Sequence, residues 1–251
     1  MRRFLLFLLA GGLLSWPLRA QPTSAPVPLP APAPTTAADP LRTDWAALAR
    51  YAAANQQLPA PQAATPRVVL LGNSITEAWL QQDPAFFAGG PYEYVGRGIS
   101  GQTSPQLLLR FRQDVVDLRP AVVVILAGTN DVAENTGPYQ PPATLGNLKS
   151  MAELARAHGI RVVLCSVLPA YAFPWRPGLT PAPKIVALNA LIKAYARQER
   201  FGYLDYHTAM ADARQGLPPA LATDGVHPTL TGYRLMEPLL QQAVAAALKR
   251  Q

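Results

Sequence analysis

The chain has one cysteine, Cys165, among 251 residues, so no internal disulfide can form. It lies in Val162-Val163-Leu164-Cys165-Ser166-Val167-Leu168, a run that reads as a buried strand. Burial keeps a thiol protonated, so Cys165 is read as a core residue and not as a nucleophile. Charge is sparse as well, at 15% of residues, and the basic residues are scattered without interleaved aromatics, which disfavours nucleic acid as a partner. The formal charge of +7 includes Arg2, Arg3 and Arg19, and about +4 remains without them. The chain also lacks a Gly-Lys-Ser/Thr sequence after a strand and a dinucleotide-type glycine fingerprint, which argues against nucleotide binding. Histidine is scarce, with only His158, His207 and His227.

The amino terminus combines Met1-Arg2-Arg3, an apolar run from Phe4 to Leu14, and Pro17-Leu18-Arg19-Ala20. The apolar run is too short to span a bilayer. This pattern predicts a secretory signal over residues 1–20, cut after Ala20, and hence export to the periplasm or medium. An uncleaved anchor is the alternative, since Leu18 is bulky for its place; no cysteine near the cut supports a lipid anchor. Residues 21–42 are dominated by Pro, Ala, Thr and Ser, with proline at every second place from Pro26 to Pro34, a composition expected to form an extended tether. About 210 residues remain from 43 to 251, enough for one domain with a sizeable core.

Within that domain, apolar runs of strand length alternate with segments of helical spacing. Strands are expected at Val68–Leu71, Tyr92–Val95, Ala121–Leu126, around Cys165, and at Phe201–Leu204. Helices are expected around Leu107, Leu108 and Phe111, around Leu145, Leu148, Ala152 and Ala155 with Gly159 as cap, around Ile185, Leu188, Ile192 and Tyr195, and from Leu235 to Val244, where Pro238 is a potential kink. Ahead of the first strand, Thr43 or Asp44 caps an expected helix over about 44–55, whose Trp45, Leu48 and Tyr51 pack on the outside of the domain. This alternation predicts an α/β fold with a parallel sheet.

The chemistry centres on Gly72-Asn73-Ser74-Ile75. Ser74 falls between the carboxyl end of a strand and the amino end of a helix, the edge at which open parallel sheets bind ligands. By itself such a serine reads as a helix cap. Acyl transfer would also require a base, a group orienting that base, and donors for an oxyanion. His227 is the favoured base because Asp224 lies three residues earlier in a loop that Gly225 allows to turn; His207 is a lesser candidate and His158 belongs to a helix end. Gly101 and Asn130 follow two other predicted strands and are candidate donors beside the Ser74 backbone N–H.

These segments, with Gly98-Ile99-Ser100-Gly101-Gln102-Thr103, Gly128-Thr129-Asn130-Asp131 and Asp224-Gly225-Val226-His227-Pro228, resemble the four blocks of the SGNH (GDSL-type) hydrolases, in order, from about Arg67 onward. The resemblance implies a flavodoxin-like, three-layer α/β/α sandwich around a central parallel sheet of about five strands. It implies Ser74 as nucleophile, Asp224 and His227 as its catalytic partners, and Ser74, Gly101 and Asn130 as the oxyanion hole, with neither metal nor cofactor. Two positions depart from the pattern: Asn73 stands where the family name has Asp, and Gly96 where a polar residue such as Asn is expected. The function expected is an exported serine esterase acting on short acyl esters, most of all acetyl groups on carbohydrate, with a small-molecule or glycan ester as partner. Trp175 and Tyr171, in the loop from Pro169 to Pro183, offer flat faces for a sugar. The alternatives are a lipid-directed esterase such as a lysophospholipase or thioesterase, and a non-catalytic, surface-tethered binding module.

If this reading holds, Ser74→Ala and His227→Ala each lower kcat by about 10⁴–10⁶-fold, and the double variant loses little more, because the two groups act as a unit. Additive losses, measured by single-turnover hydrolysis of an aryl acetate, would contradict it.

Overall fold

The computed structural model describes residues 43–249; the expected signal segment and all of the expected tether lie outside them. Where one helix is expected over 44–55, the chain makes a turn and then a single 3-10 turn, Leu48–Tyr51, leading into α1 (Ala52–Gln57). Asp44 does act as a cap, its carboxylate accepting the Leu48 and Ala49 N–H groups at 2.7 and 2.9 Å. The helix cannot begin sooner because Ala47 adopts a left-handed backbone, φ 53°. The packing differs from expectation too: Ala46 is buried, whereas Trp45 and Leu48 are exposed.

From there the chain alternates as its apolar pattern requires. The elements are β1 (Arg67–Gly72), α2 (Ser74–Gln82), α3 (Pro84–Ala88), β2 (Glu93–Gly98), α4 (Ser104–Asp114), β3 (Val122–Leu126) and α5 (Thr129–Val132). They continue with α6 (Pro141–Ala157), β4 (Arg161–Cys165), α7 (Pro181–Gln198), β5 (Gly202–Leu204), α8 (Tyr206–Met210) and α9 (Leu230–Lys249). One helix assignment spans Pro238, and Gly159 takes the positive φ, 71°, that ends α6. β2 runs three residues beyond the expected Val95, because Gly96, Arg97 and Gly98 pair with Leu70, Leu71 and Gly72.

All five strands are parallel, in the order β2-β1-β3-β4-β5. Side chains alternate across a strand, so successive residues enter opposite layers. Val69, Leu71, Val123, Ile125, Val162 and Leu164 pack with α4, α6 and α7. Val68, Leu70, Val122, Val124, Val163 and Cys165 pack with α2, α8 and α9. The result is the expected α/β/α sandwich, with Cys165 in the core and its thiol pKa pushed up by burial. The chain leaves β1 toward β2 and then crosses to β3 on the other side of β1. The topological switch point therefore lies between the carboxyl ends of β1 and β3, where Ser74 and Asn130 stand, and a crevice forms there.

Glycine is needed where the second block meets this edge. A Cβ on Gly98 would lie 2.2 Å from the Glu77 nitrogen and 2.6 Å from the Asn73 carbonyl oxygen, both backbone atoms at the start of α2. Gly98→Ala is expected to cost about 1–3 kcal/mol or more, as overpacking against backbone does, and to displace Ser74. Thermal denaturation and esterase assays read the two effects; an unchanged melting temperature with full activity would refute the close approach.

Candidate active site

Ser74 opens α2. Asn73, which is buried, caps that helix with its side-chain oxygen on the Ile75 N–H, 3.1 Å away. The departure from Asp is thus accommodated, since a neutral amide oxygen accepts that bond. Within the same layer, the buried Tyr233 hydroxyl of α9 donates to the Ile75 carbonyl at 2.8 Å. The helix start that carries Ser74 is therefore held both by its own cap and by a neighbouring helix.

His227 lies in the loop before α9, 153 positions from Ser74, yet its Nε2 is 2.9 Å from Ser74 Oγ. Its Nδ1 is 2.6 Å from Asp224 Oδ2. The other oxygen of Asp224 accepts the Val226 and His227 backbone N–H groups at 2.9 and 2.8 Å, and Gly225 supplies the positive φ, 76°, that the turn requires. Burial tends to raise the Asp224 pKa, but the bonds from the His227 ring and the two backbone N–H groups outweigh it and hold the carboxyl below its usual range. A carboxylate, an imidazole and a hydroxyl thus form one continuous hydrogen-bonded line. Such a line can draw the serine proton toward Nε2 while the carboxylate steadies the imidazolium.

The candidate oxyanion donors come from the neighbouring strand ends. Gly101 follows β2 in a loop that leans on the end of β1 and on α2: the Ile99 N–H donates to the Gly72 carbonyl and the Ser100 N–H to Glu77 Oε2. Gly101 itself has φ 77°. Asn130, in α5 after β3, is buried and donates through Nδ2 to the Gln102 carbonyl at 2.9 Å. An amide nitrogen carries two hydrogens, so this bond fixes the group and leaves a second donor. Asp131, next in α5, accepts the Ser104 N–H and hydroxyl and the Thr144 hydroxyl. Burial raises its pKa even though those bonds favour the ionised form.

The remaining histidines stand apart. His207 lies in α8 after β5, three strand positions from β1 or roughly 14 Å across the sheet. Its backbone N–H donates to Ser166 Oγ, and burial lowers its pKa. His158 ends α6. At Gly96 a polar side chain is absent, and the adjacent Arg97 bonds instead to Asn55 Oδ1 at 2.8 Å.

A cleft of about 570 Å³ opens beside the line, bounded by Trp45, Ser100, Gly101, Gln102, Gln106, Asn135, Thr136, Trp175 and Arg176. Trp175 sits next to His227, with ring centroids 6.1 Å apart. Its indole N–H donates to Asn135 Oδ1 at 3.1 Å, and Phe173 backs it. Tyr171 is not among the cleft's lining residues and lies under the Arg214 guanidinium. Sequence reading missed Arg110, which is wholly buried and bonds to Gln102 Oε1, Asp114 and the carbonyls of Gly72 and Arg97. Its signal was a charge beside Leu107 and Phe111 with a carboxylate four residues on.

The profile of the GDSL-like lipase/acylhydrolase family matches residues 70–235, which carry all four blocks. The chain belongs to this family. Esterase TesA of Pseudomonas aeruginosa is 33% identical over 188 residues, 70% of this chain and 87% of that protein. The solved structure of a GDSL-like lipase from Bacteroides thetaiotaomicron shares 50% identity and a TM-score of 0.78, with 81% of this chain and 100% of that one covered. An acetylxylan esterase of Xylanibacter ruminicola is 24% identical over 230 residues, 77% of this chain and 45% of that protein. This GDSL-type hydrolase is accordingly a carboxylic ester hydrolase. No described helix is long and apolar enough to cross a membrane.

Asp224→Asn separates the two jobs of that side chain. The amide oxygen can still accept the Val226 and His227 N–H groups, but the contact to Nδ1 is no longer anionic. A fall in kcat of about 10³–10⁴-fold with little change in melting temperature is expected; a loss under tenfold would show that Asp224 only shapes the loop. Because Asp224 is held below the usual carboxylate range, it carries its charge at neutral pH and presents an anion to the imidazole.

Proposed function

We propose that the chain is an exported serine esterase that removes short acyl groups, acetyl above all, from carbohydrate. The observation that carries the mechanism is the Ser74-His227-Asp224 line at the switch point. In this reading His227 Nε2 takes the Ser74 proton as Oγ attacks the acyl carbonyl. The oxyanion that develops is met by the Ser74 and Gly101 N–H groups and by the second hydrogen of Asn130 Nδ2. The C–O bond to the alcohol breaks as the imidazolium returns the proton to the leaving oxygen. Water, deprotonated by His227, then attacks the acyl-enzyme and releases the acid and Ser74.

The lining of the cleft supports a polar alcohol over a long acyl chain. Ser100, Asn135 and Thr136 offer hydroxyls and an amide, and Trp175 offers a flat face. A sugar ring needs that combination, with hydrogen bonds at its rim and an apolar face across it. The relative that is an acetylxylan esterase supports the same choice. Export rests on the charged start and short apolar run of residues 1–20.

Hydrolysis of p-nitrophenyl acetate against the octanoate and longer esters, with wild type and Ser74→Ala in parallel, tests this. Acetate should be cleaved at least about tenfold better than octanoate in kcat/KM, and Ser74→Ala should abolish the activity. Preference for long chains would favour the lipid-directed alternative, and activity indifferent to Ser74 would remove the serine mechanism.

A further inference from the structure

We propose that the segment ahead of β1 is part of the substrate site, with Trp45 as the second aromatic wall of the cleft, so that Trp45 and Trp175 together hold the sugar ring that carries the ester. The proposal rests on the carbohydrate reading above and deepens it.

Trp45 is a large apolar side chain left 38% exposed, and Trp175 is left 41% exposed. Both border the same cleft, whose floor is Ser100, Gly101 and Gln102. Gly101 is the proposed oxyanion donor, and Trp175 lies beside His227, so an alcohol leaving Ser74 departs into this space. The volume of about 570 Å³ falls within the roughly 300–1,000 Å³ typical of ligand sites. The negative face of an indole attracts the weakly positive C–H groups on the flat side of a pyranose.

Trp45 also has a fixed position. Three glutamines, from the second block and α4, grip the backbone carbonyls of the segment: Gln106 Nε2 donates to Trp45 at 2.8 Å, Gln102 Nε2 to Ala46 at 2.7 Å, and Gln113 Nε2 to Leu48 at 2.6 Å. Asn55 returns the grip by donating to the Gln113 carbonyl and to Asp114. Tyr51 donates its hydroxyl to the Gly98 carbonyl, and Arg50 pairs with Glu77. Ala46 is buried at 3% exposure, and the left-handed turn at Ala47 follows it. The small side chain is therefore the anchor. The tryptophan beside it contributes little to the core, and its exposed face is free for a ligand. Because the grip acts on carbonyls, replacing the Trp45 side chain removes the wall and leaves the segment attached.

The test compares Trp45→Ala, Trp45→Phe and Trp45→Leu with wild type on acetylated xylo-oligosaccharides and on p-nitrophenyl acetate. For the oligosaccharide, Trp45→Ala should raise KM about tenfold or more with kcat kept within about threefold, and the loss should far exceed that on the aryl ester. Calorimetric titration of the Ser74→Ala background with the same oligosaccharide should show the matching loss of affinity. Phe, which keeps a π face, should recover most of the binding, and Leu, which keeps bulk alone, should not. This pair decides the matter even if the alanine variant folds poorly. Equal losses on the two substrates, or equivalent Phe and Leu variants, would overturn the role of Trp45 while leaving the esterase reading intact. Wild-type enzyme that cleaves the aryl acetate and ignores the oligosaccharide would instead overturn the carbohydrate reading, and this inference with it.

Discussion

The geometry of the site depends on a buried cation. Arg110 is wholly enclosed, and burial lowers its pKa, partly offset by the charge and hydrogen bond of Asp114. A buried charge persists only if its donors are satisfied, and here the satisfaction organises the structure. The guanidinium donates to the Gly72 carbonyl at the end of β1, to the Arg97 carbonyl near the end of β2, to Gln102 Oε1 and to Asp114 Oδ2. The two strand ends that precede Ser74 and Gly101 are thereby keyed to one planar group. Removing one partner of such a pair costs about 3–5 kcal/mol. Here the loss would also release the relative positions of Ser74 and the Gly101 loop, the proposed nucleophile and oxyanion donor.

That constraint is transmitted outward through Gln102. Its side chain joins Arg110 to the Ala46 carbonyl, and its own carbonyl receives the Asn130 amide. The β3 end, the β2 loop and the segment ahead of β1 thus share one residue. The proposed acid-base side is built differently: Asp224 and His227 keep 39% and 37% of their side chains exposed and are ordered by a local turn. The division suits the chemistry. In the proposed mechanism, oxyanion stabilisation requires donors that do not reorganise, whereas the imidazole must meet the departing alcohol and then a water from solvent.

The amino-acid sequence makes some of this legible. The β1 run is apolar at every place because both its faces are covered, and the punctuation by glycine after it marks the turn. The loops with Gly101, Asn130 and His227 each follow the pattern of a strand or precede that of a helix, so the residues later found at one edge stand out in order. The rest was hidden for physical reasons. Arg110 lies on the buried face of α4 beside Leu107 and Phe111, and helical spacing counts apolar residues, so a buried guanidinium reads as noise. Trp45, Leu48 and Tyr51 match a helical period, yet backbone bonds from glutamines override that period. The anchor is Ala46, which no hydrophobic pattern singles out. Helices as short as α3, α5 and α8 have too few turns to show a period at all.

The location of each element divides the proposed chemistry from the proposed selectivity. Ser74, Gly101 and Asn130 stand immediately after three adjacent strands, and their spacing follows from the strand separation of about 4.8 Å and the Arg110 network. Trp45 and Trp175 belong to segments outside the sheet, one ahead of β1 and one between β4 and α7. They reach the site through contacts with loops: the glutamine grip in one case, and Asn135 and Phe173 in the other. Trp175 packs beside His227, with ring centroids 6.1 Å apart, whereas Trp45 is held through its backbone carbonyl. A change in the Trp45 side chain would therefore alter the proposed substrate wall without altering the distance between Ser74 and His227. The reverse does not hold, because any shift in Gln102 moves the oxyanion loop and the Ala46 anchor together, so the catalytic edge constrains the substrate walls more than they constrain it.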